Sequence, residues 1–416
     1  MAGKVKFMRA RIFYGWWVVC ACFPIGLYVS GITVYGFTAF FEPFVKEFGW
    51  SYTQISFAAS LRGLEAGIFS PFVGLLVDRF GSRKLIQAGT VLCGLGLLVL
   101  SMTRSLPMFY CGFLLLAFGA TGCMGLVTMT AVADWFQKDS GKAFGVMSSA
   151  FGASGLLVPL IVWLIDAFSW RTALVVMGVG IWVLGIPLSF VVRKRPREGG
   201  GSAEERIHDK AGVRSAKEPG KTEMTVGKAL RNKMFLQLAV VEGIRVMAVT
   251  AVVTHVMPYL AQMGMSRPTA GFVAAGIPIF SIIGRFGLGW LADIFSKKHL
   301  FASTFVLVAL GLLAFCFVDL KWTILFFLFL FSSGSGGGMV MRVVVLREYF
   351  GSASFGKLLG IIMASGAIGG MVGPTLAGWI FDTFGDYHSA WYLFMGIVVL
   401  PMIVILRWNP KKSLSA

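Results

Sequence analysis

Gly74-Leu-Leu-Val-Asp-Arg-Phe-Gly-Ser-Arg83 closes one long apolar stretch, and its core returns as Gly289-Trp-Leu-Ala-Asp293, followed by Lys297 and Lys298. The offset is 215 positions (74 to 289, 78 to 293), and the same offset carries Gly141-Lys142 through Pro159 onto Gly356-Lys357 through Pro374. Equal offsets in the same order describe two parallel copies of one plan. Between the copies, RKRPREGGGSAEERIHDKAGVRSAKEPGK breaks the hydrophobic pattern with charge, glycine and serine, as a flexible linker does. The expected organisation is a first half over 1–192, a linker over 193–233 and a second half over 234–416.

What surrounds the repeats is apolar. Of 416 residues, 57% are hydrophobic and 13% charged, well below the ~25% charge of a soluble domain. Uncharged or nearly uncharged runs of membrane-crossing length fall near 13–41, 53–77, 85–103, 107–133, 143–165, 172–192, 234–263, 268–292, 300–318, 322–346, 358–381 and 390–406. The predicted fold is an all-α membrane protein, with twelve transmembrane helices in two six-helix pseudo-repeats.

The formal charge of +18 is the one feature that points toward nucleic acid, and its distribution argues against that partner. Lys and Arg crowd the termini, the linker and alternate loops (Arg79, Arg83, Lys84, Lys138, Lys142, Lys297, Lys298, Arg347, Lys357), while the opposite loops hold only Lys46, Arg104, Arg171, Arg267 and Lys321. That asymmetry predicts a multi-pass protein of the cell inner membrane with both termini cytoplasmic, its partner the lipid bilayer. The basic Met1–Arg11 stretch leads into an apolar segment longer than a signal-peptide core, so an uncleaved first helix is expected. The six cysteines sit inside predicted helices without metal-ligand spacing, as apolar packing residues do.

GLLVDRFGSR resembles the loop signature after the second helix of the major facilitator superfamily, with a weaker counterpart after the eighth. Tyr14-Gly-Trp-Trp-Val-Val19 and Trp135-Phe-Gln-Lys-Asp-Ser-Gly-Lys-Ala-Phe-Gly145 resemble two signatures of the monocarboxylate transporters. Gly373-Pro-Thr-Leu-Ala-Gly378 with Asp382, Gly385, Asp386 and Tyr387 is similar to their helix 11 to 12 corner. These patterns are partly shared with oxalate/formate exchangers. The resemblance implies a gate latch built from Gly74, Asp78, Arg79 and Arg83 with Asp293. Asp78 can accept hydrogen bonds from a neighbouring helix N-terminus, and topology determinants alone are the plainer reading.

Charge inside the spans is rare, and each instance marks a candidate site. Arg62 with Glu65 and Glu242 with Arg245 are spaced i,i+3, within reach on one helix face, as structural pairs or as functional ones. Arg342 lies near the end of the tenth span. Arg285 has no acid at i±3 or i±4, where Ser281, Ile282, Leu288 and Gly289 stand. Its counter-ion is either a substrate anion or, through an interhelical pair, Glu65 or Glu242. A guanidinium binds a carboxylate with two parallel hydrogen bonds and keeps its charge.

In monocarboxylate transporters an arginine of the eighth helix binds the substrate carboxylate, and Arg285 matches it. Ser281 and Tyr35 stand where animal-type relatives carry an aspartate and a lysine, so the usual proton-coupling pair is missing. The substrate candidates are therefore Arg285, Tyr28, Tyr35, Ser281, Tyr259 and Arg62. Candidates for proton coupling are Glu65, Glu242, Arg245 and His255. Glycines 334, 336, 337 and 338 lack the Lys-Ser or Lys-Thr of a phosphate loop and suit close helix packing. Neither a nucleotide fingerprint, a metal cluster nor a hydrolytic triad is legible, so no enzyme, cofactor or metal is expected. The expected activity is symport of a small monocarboxylate such as lactate with a proton, with oxalate/formate-type exchange as the alternative.

Overall fold

The helical pattern is borne out by a computed structural model, which describes residues 13–136, 140–193, 226–318, 321–350 and 355–408. Most of the predicted linker and the side chain of Asp78 lie outside the described residues.

Twelve long helical segments follow one another: α1 (Tyr14–Phe48), α2 (Tyr52–Phe80), α3 (Ser82–Ser101), α4 (Leu106–Ala133), α5 (Ala143–Ala167), α6 (Trp170–Val191), α7 (Lys233–Gln262), α8 (Arg267–Ile294), α9 (Lys297–Cys316), α10 (Lys321–Phe350), α11 (Phe355–Phe384) and α12 (His388–Leu406). Among the described residues, eleven are long and apolar enough to cross a membrane; α2, at 29 residues, has the length but carries Arg62 and Glu65 in its middle. Large apolar side chains turned outward, such as Leu75, Val183 and Trp322, are what a bilayer solvates. The chain is a multi-pass membrane protein.

Small residues set the helix contacts, because lipid supplies no hydrophobic drive between helices and close backbone packing must substitute for it. An added Cβ at Gly284 would lie 1.9 Å from the Ser333 carbonyl, and one at Gly336 would lie 2.2 Å from the Ser281 carbonyl. The glycine run of α10 thus seats it against α8, as the sequence pattern suggested. Between the halves, α2 packs on α11 and α5 on α8. These two contacts are images of each other under the repeat.

Helix α1 is not uniform. A wide π-type turn, Gly31–Tyr35, closed by the Gly36 amide on the Gly31 carbonyl, passes into a 3-10 segment, Gly36–Phe40. Changing from one hydrogen-bond register to another disrupts the regular ladder and frees carbonyls for side-chain donors.

The halves are fastened most firmly at the end away from the linker. Asp382 of α11 accepts hydrogen bonds from the Tyr52 amide (3.0 Å), the Thr53 amide (2.8 Å) and the Thr53 hydroxyl (2.5 Å), which caps the start of α2. Arg267 of α8 donates to Asp166 (2.8 Å) and Glu42 (3.0 Å) in the first half. Ser60 and Thr375 meet at 2.7 Å, and Met257 donates its amide to Thr38 at 3.1 Å. Toward the linker end, an added Cβ at Gly145, Gly287, Gly356 or Gly360 would meet nothing within 4 Å.

Candidate functional site

Arg285 leaves α8 in its second half and reaches across to the first half of the chain. Its Nη1 donates to the Ser148 carbonyl at 3.0 Å and lies 3.5 Å from the Ser148 hydroxyl; Nη2 stands 3.8 Å from the Met339 thioether. Its Nε is buried without a partner. Neither Glu65 nor Glu242 neutralises it: among the described residues the carboxylates of those two side chains are taken up elsewhere. An arginine in this setting has donor capacity left for a ligand.

Ser148 and Met339 were invisible as site residues in the sequence because neither carries charge. The repeat equates α5 with α11 and α2 with α8, and the packing of α5 on α8 is seen only in the structure.

In α7, Glu242 and Arg245 form the expected pair. Arg245 donates from Nε to Oε2 at 2.8 Å and from Nη2 to Oε1 at 2.7 Å, and its Nη1 reaches the Ser335 carbonyl at 3.2 Å. Arg342 of α10 adds a third donor on Glu242 Oε1. Glycine at 338 leaves room for the Arg245 chain, since a Cβ there would lie 2.7 Å from Arg245 Cδ.

The other expected pair does not form. Glu65 accepts from the Thr121 hydroxyl at 2.9 Å, and its second oxygen is buried without a partner. Arg62 turns instead to the Thr33 carbonyl, one of the groups in the wide turn of α1. Tyr35, which ends that turn, is close enough to both Arg62 and Arg285 for their charges to act on it. Arg62, Tyr35 and Arg285 are thereby brought to one region between the halves.

Three substrate candidates are placed elsewhere. Tyr28 donates to the Met177 carbonyl at 3.1 Å and lies over Gly180, so it is a bolt between α1 and α6. Ser281 is buried and bonds back to the Pro278 carbonyl at 2.6 Å, in the seam where Gly336 abuts it. Tyr259 is fully buried and donates to the Phe315 carbonyl at 2.8 Å, within a cluster that includes Tyr387 and Trp391. Their spacing suited a cavity, but each hydroxyl has found a nearer carbonyl.

His255 is also fully occupied. Its Nδ1 lies 2.8 Å from the Tyr387 hydroxyl, and its Nε2 lies 2.9 Å from both the Ser56 hydroxyl and the Pro374 carbonyl. The bond to Ser56 joins the halves near Asp382, which makes His255 part of the closed end. Of the latch residues, Gly74 is placed so that an added Cβ would lie 3.8 Å from Leu126, Arg79 lies over Phe80, Arg83 lies 4.8 Å from the Phe190 ring centre, and Asp293 is exposed.

A family model described as Major Facilitator Superfamily matches residues 24–287 and 246–416. Monocarboxylate transporter 12 of Rattus norvegicus is 24% identical over 415 residues, covering 94% of this chain and 85% of that protein. Monocarboxylate transporter 13 of Bos taurus is 25% identical over 388 residues, covering 91% of this chain and 85% of that protein. Among solved structures, a bacterial homolog of the human lysosomal transporter Spinster, in an inward-facing and unoccupied conformation, superposes with a TM-score of 0.70 at 13% identity, covering 97% of this chain and 94% of that one.

Proposed function

The chain belongs to the Major Facilitator Superfamily, and from that premise we propose that it is a secondary transporter moving a small monocarboxylate, lactate-like in size, together with a proton by alternating access. The observation that carries this reading is Arg285, a cation between the halves with a buried, unpartnered Nε and, among the described residues, no acid to neutralise it. A substrate carboxylate would supply the missing acceptor, and the bond to Ser148 already ties the same guanidinium to the opposite half. Substrate binding and movement of the halves would thus act on one side chain. The likeness to monocarboxylate transporters 12 and 13 points the same way.

For the proton we favour Glu65. It holds one hydroxyl donor and an orphaned buried oxygen, a setting that a neutral carboxylic acid tolerates better than an anion. Glu242, gripped by two arginines, is the poorer choice. The fastened far end would be the closed outer gate of an inward-facing carrier, with Gly74, Asp78, Arg79, Arg83 and Asp293 forming the latch of the cytoplasmic side. In this reading both termini and the linker lie in the cytoplasm and the protein sits in the cell inner membrane.

The test is uptake of labelled lactate into proteoliposomes. Arg285→Ala loses charge and geometry and Arg285→Lys loses the two-pronged geometry, so both are expected to abolish uptake while the protein stays folded. Normal uptake by Arg285→Ala would move the anchor to Arg62 or Arg245. One observation favours a second reading, anion exchange of oxalate/formate type: Arg62, released from Glu65, adds a second unneutralised cation near Tyr35. Uptake that ignores a pH gradient but requires an internal counter-anion would establish exchange in place of symport.

A further inference from the structure

We propose that Arg342 is a second anion station, which takes a small carboxylate on the route between Arg285 and the linker end. The proposal rests on the reading of Arg285 as the substrate anchor. Arg342 follows Met339 by three residues on α10, about 4.5 Å along the axis, and Met339 touches Arg285. A ligand moving toward the linker end from Arg285 meets Arg342 next on this helix.

The charge around Arg342 is incomplete. Two guanidinium groups share the single carboxylate of Glu242, so the cluster carries one net positive charge. Arg245 is not the source of the surplus, because three of its nitrogens are already bonded and its side chain is 4% exposed. Arg342 contributes only Nη1 to Glu242; its Nε is buried without a partner, and 14% of its side chain remains accessible. An unsatisfied buried N–H of a cation is costly, and the Nε–Nη2 edge of a guanidinium is a shape that a carboxylate fills. A second cation below the first would let an anion leave Arg285 in two short steps rather than one.

The experiment uses the full chain in lipid nanodiscs, with L-lactate as the probe and binding followed by ligand-observed NMR. Arg285→Ala is expected to retain a weak binding phase, about tenfold or more weaker than wild type, since one of two charge-assisted contacts remains. Adding Arg342→Gln should abolish that phase. Arg342→Gln alone should raise the half-saturating lactate for transport from the linker side by about threefold to tenfold and leave it within about twofold from the far side. Folding is safeguarded because Glu242 keeps both bonds to Arg245, and Arg342→Lys, which keeps charge without the edge, should behave between wild type and Arg342→Gln. The station is disproved if Arg285→Ala retains no binding, or if its residual binding is indifferent to Arg342→Gln. A wild-type protein that binds no lactate overturns the Arg285 reading itself, and this proposal with it.

Discussion

In α7 the carboxylate of Glu242 lies 2.7 and 2.8 Å from the guanidinium of Arg245, whereas in α2 the carboxylate of Glu65 turns to Thr121 and Arg62 to the Thr33 carbonyl. Residue types and i,i+3 spacing are the same; order and neighbours differ. Helical side chains lean toward the N-terminus, so an arginine that follows its glutamate, as in α7, leans back onto it. An arginine that precedes it, as in α2, leans away, and pairs of that order are weaker. The neighbours then decide the rest. The wide turn of α1 offers Arg62 a carbonyl, and α10 offers Glu242 a second arginine. One helix therefore holds a glutamate whose two oxygens are both bonded to arginine, and the other a carboxylate and a guanidinium that are each free to change partner.

Breaking the α7 cluster should have the largest effect. Glu242→Gln leaves Arg245 and Arg342 buried without a counter-charge, a change that costs about 3–5 kcal/mol in buried pairs. The expected outcome is a marked fall in thermal stability or in folded yield, read by fluorescence-detected size exclusion on heating. A variant as stable as wild type would mean that the cluster is hydrated and not structural.

Arg62→Gln should come next. It removes a charged donor from a buried carbonyl, worth about 1–3 kcal/mol, and should lower the melting temperature by less than Glu242→Gln does. An equal or larger drop would show that the α2 arginine is held as tightly as the α7 pair.

Glu65→Gln should cost least in stability, within about 1 kcal/mol, because no ion pair is lost and an amide can still accept from Thr121. Its effect should fall on transport instead. As a fixed mimic of the protonated acid, it should lose accumulation driven by an acidic outside and retain exchange of labelled for unlabelled lactate, which needs no proton release. Full pH-driven accumulation in Glu65→Gln would remove Glu65 from coupling.

The sequence by itself determined the twelve long helices, the repeat that matches α2 to α8 and α5 to α11, and the rarity of charge that singles out Arg285. Those properties follow from transfer into lipid, which acts on each residue wherever its neighbours are. It also placed Glu242 against Arg245, because that pair is local to one helix. Tertiary structure alone decided that Arg342 would join them and that Arg62 and Glu65 would part. It decided too that Tyr28 and Tyr259 would spend their hydroxyls on carbonyls of α6 and α9, and that Ser148 and Met339 would face Arg285. Each of these is a choice between partners that differ by about one hydrogen bond, ~1 kcal/mol. The competing acceptors come from segments tens to hundreds of residues away, and the register that presents them, such as the wide turn of α1, exists only once the helices have packed.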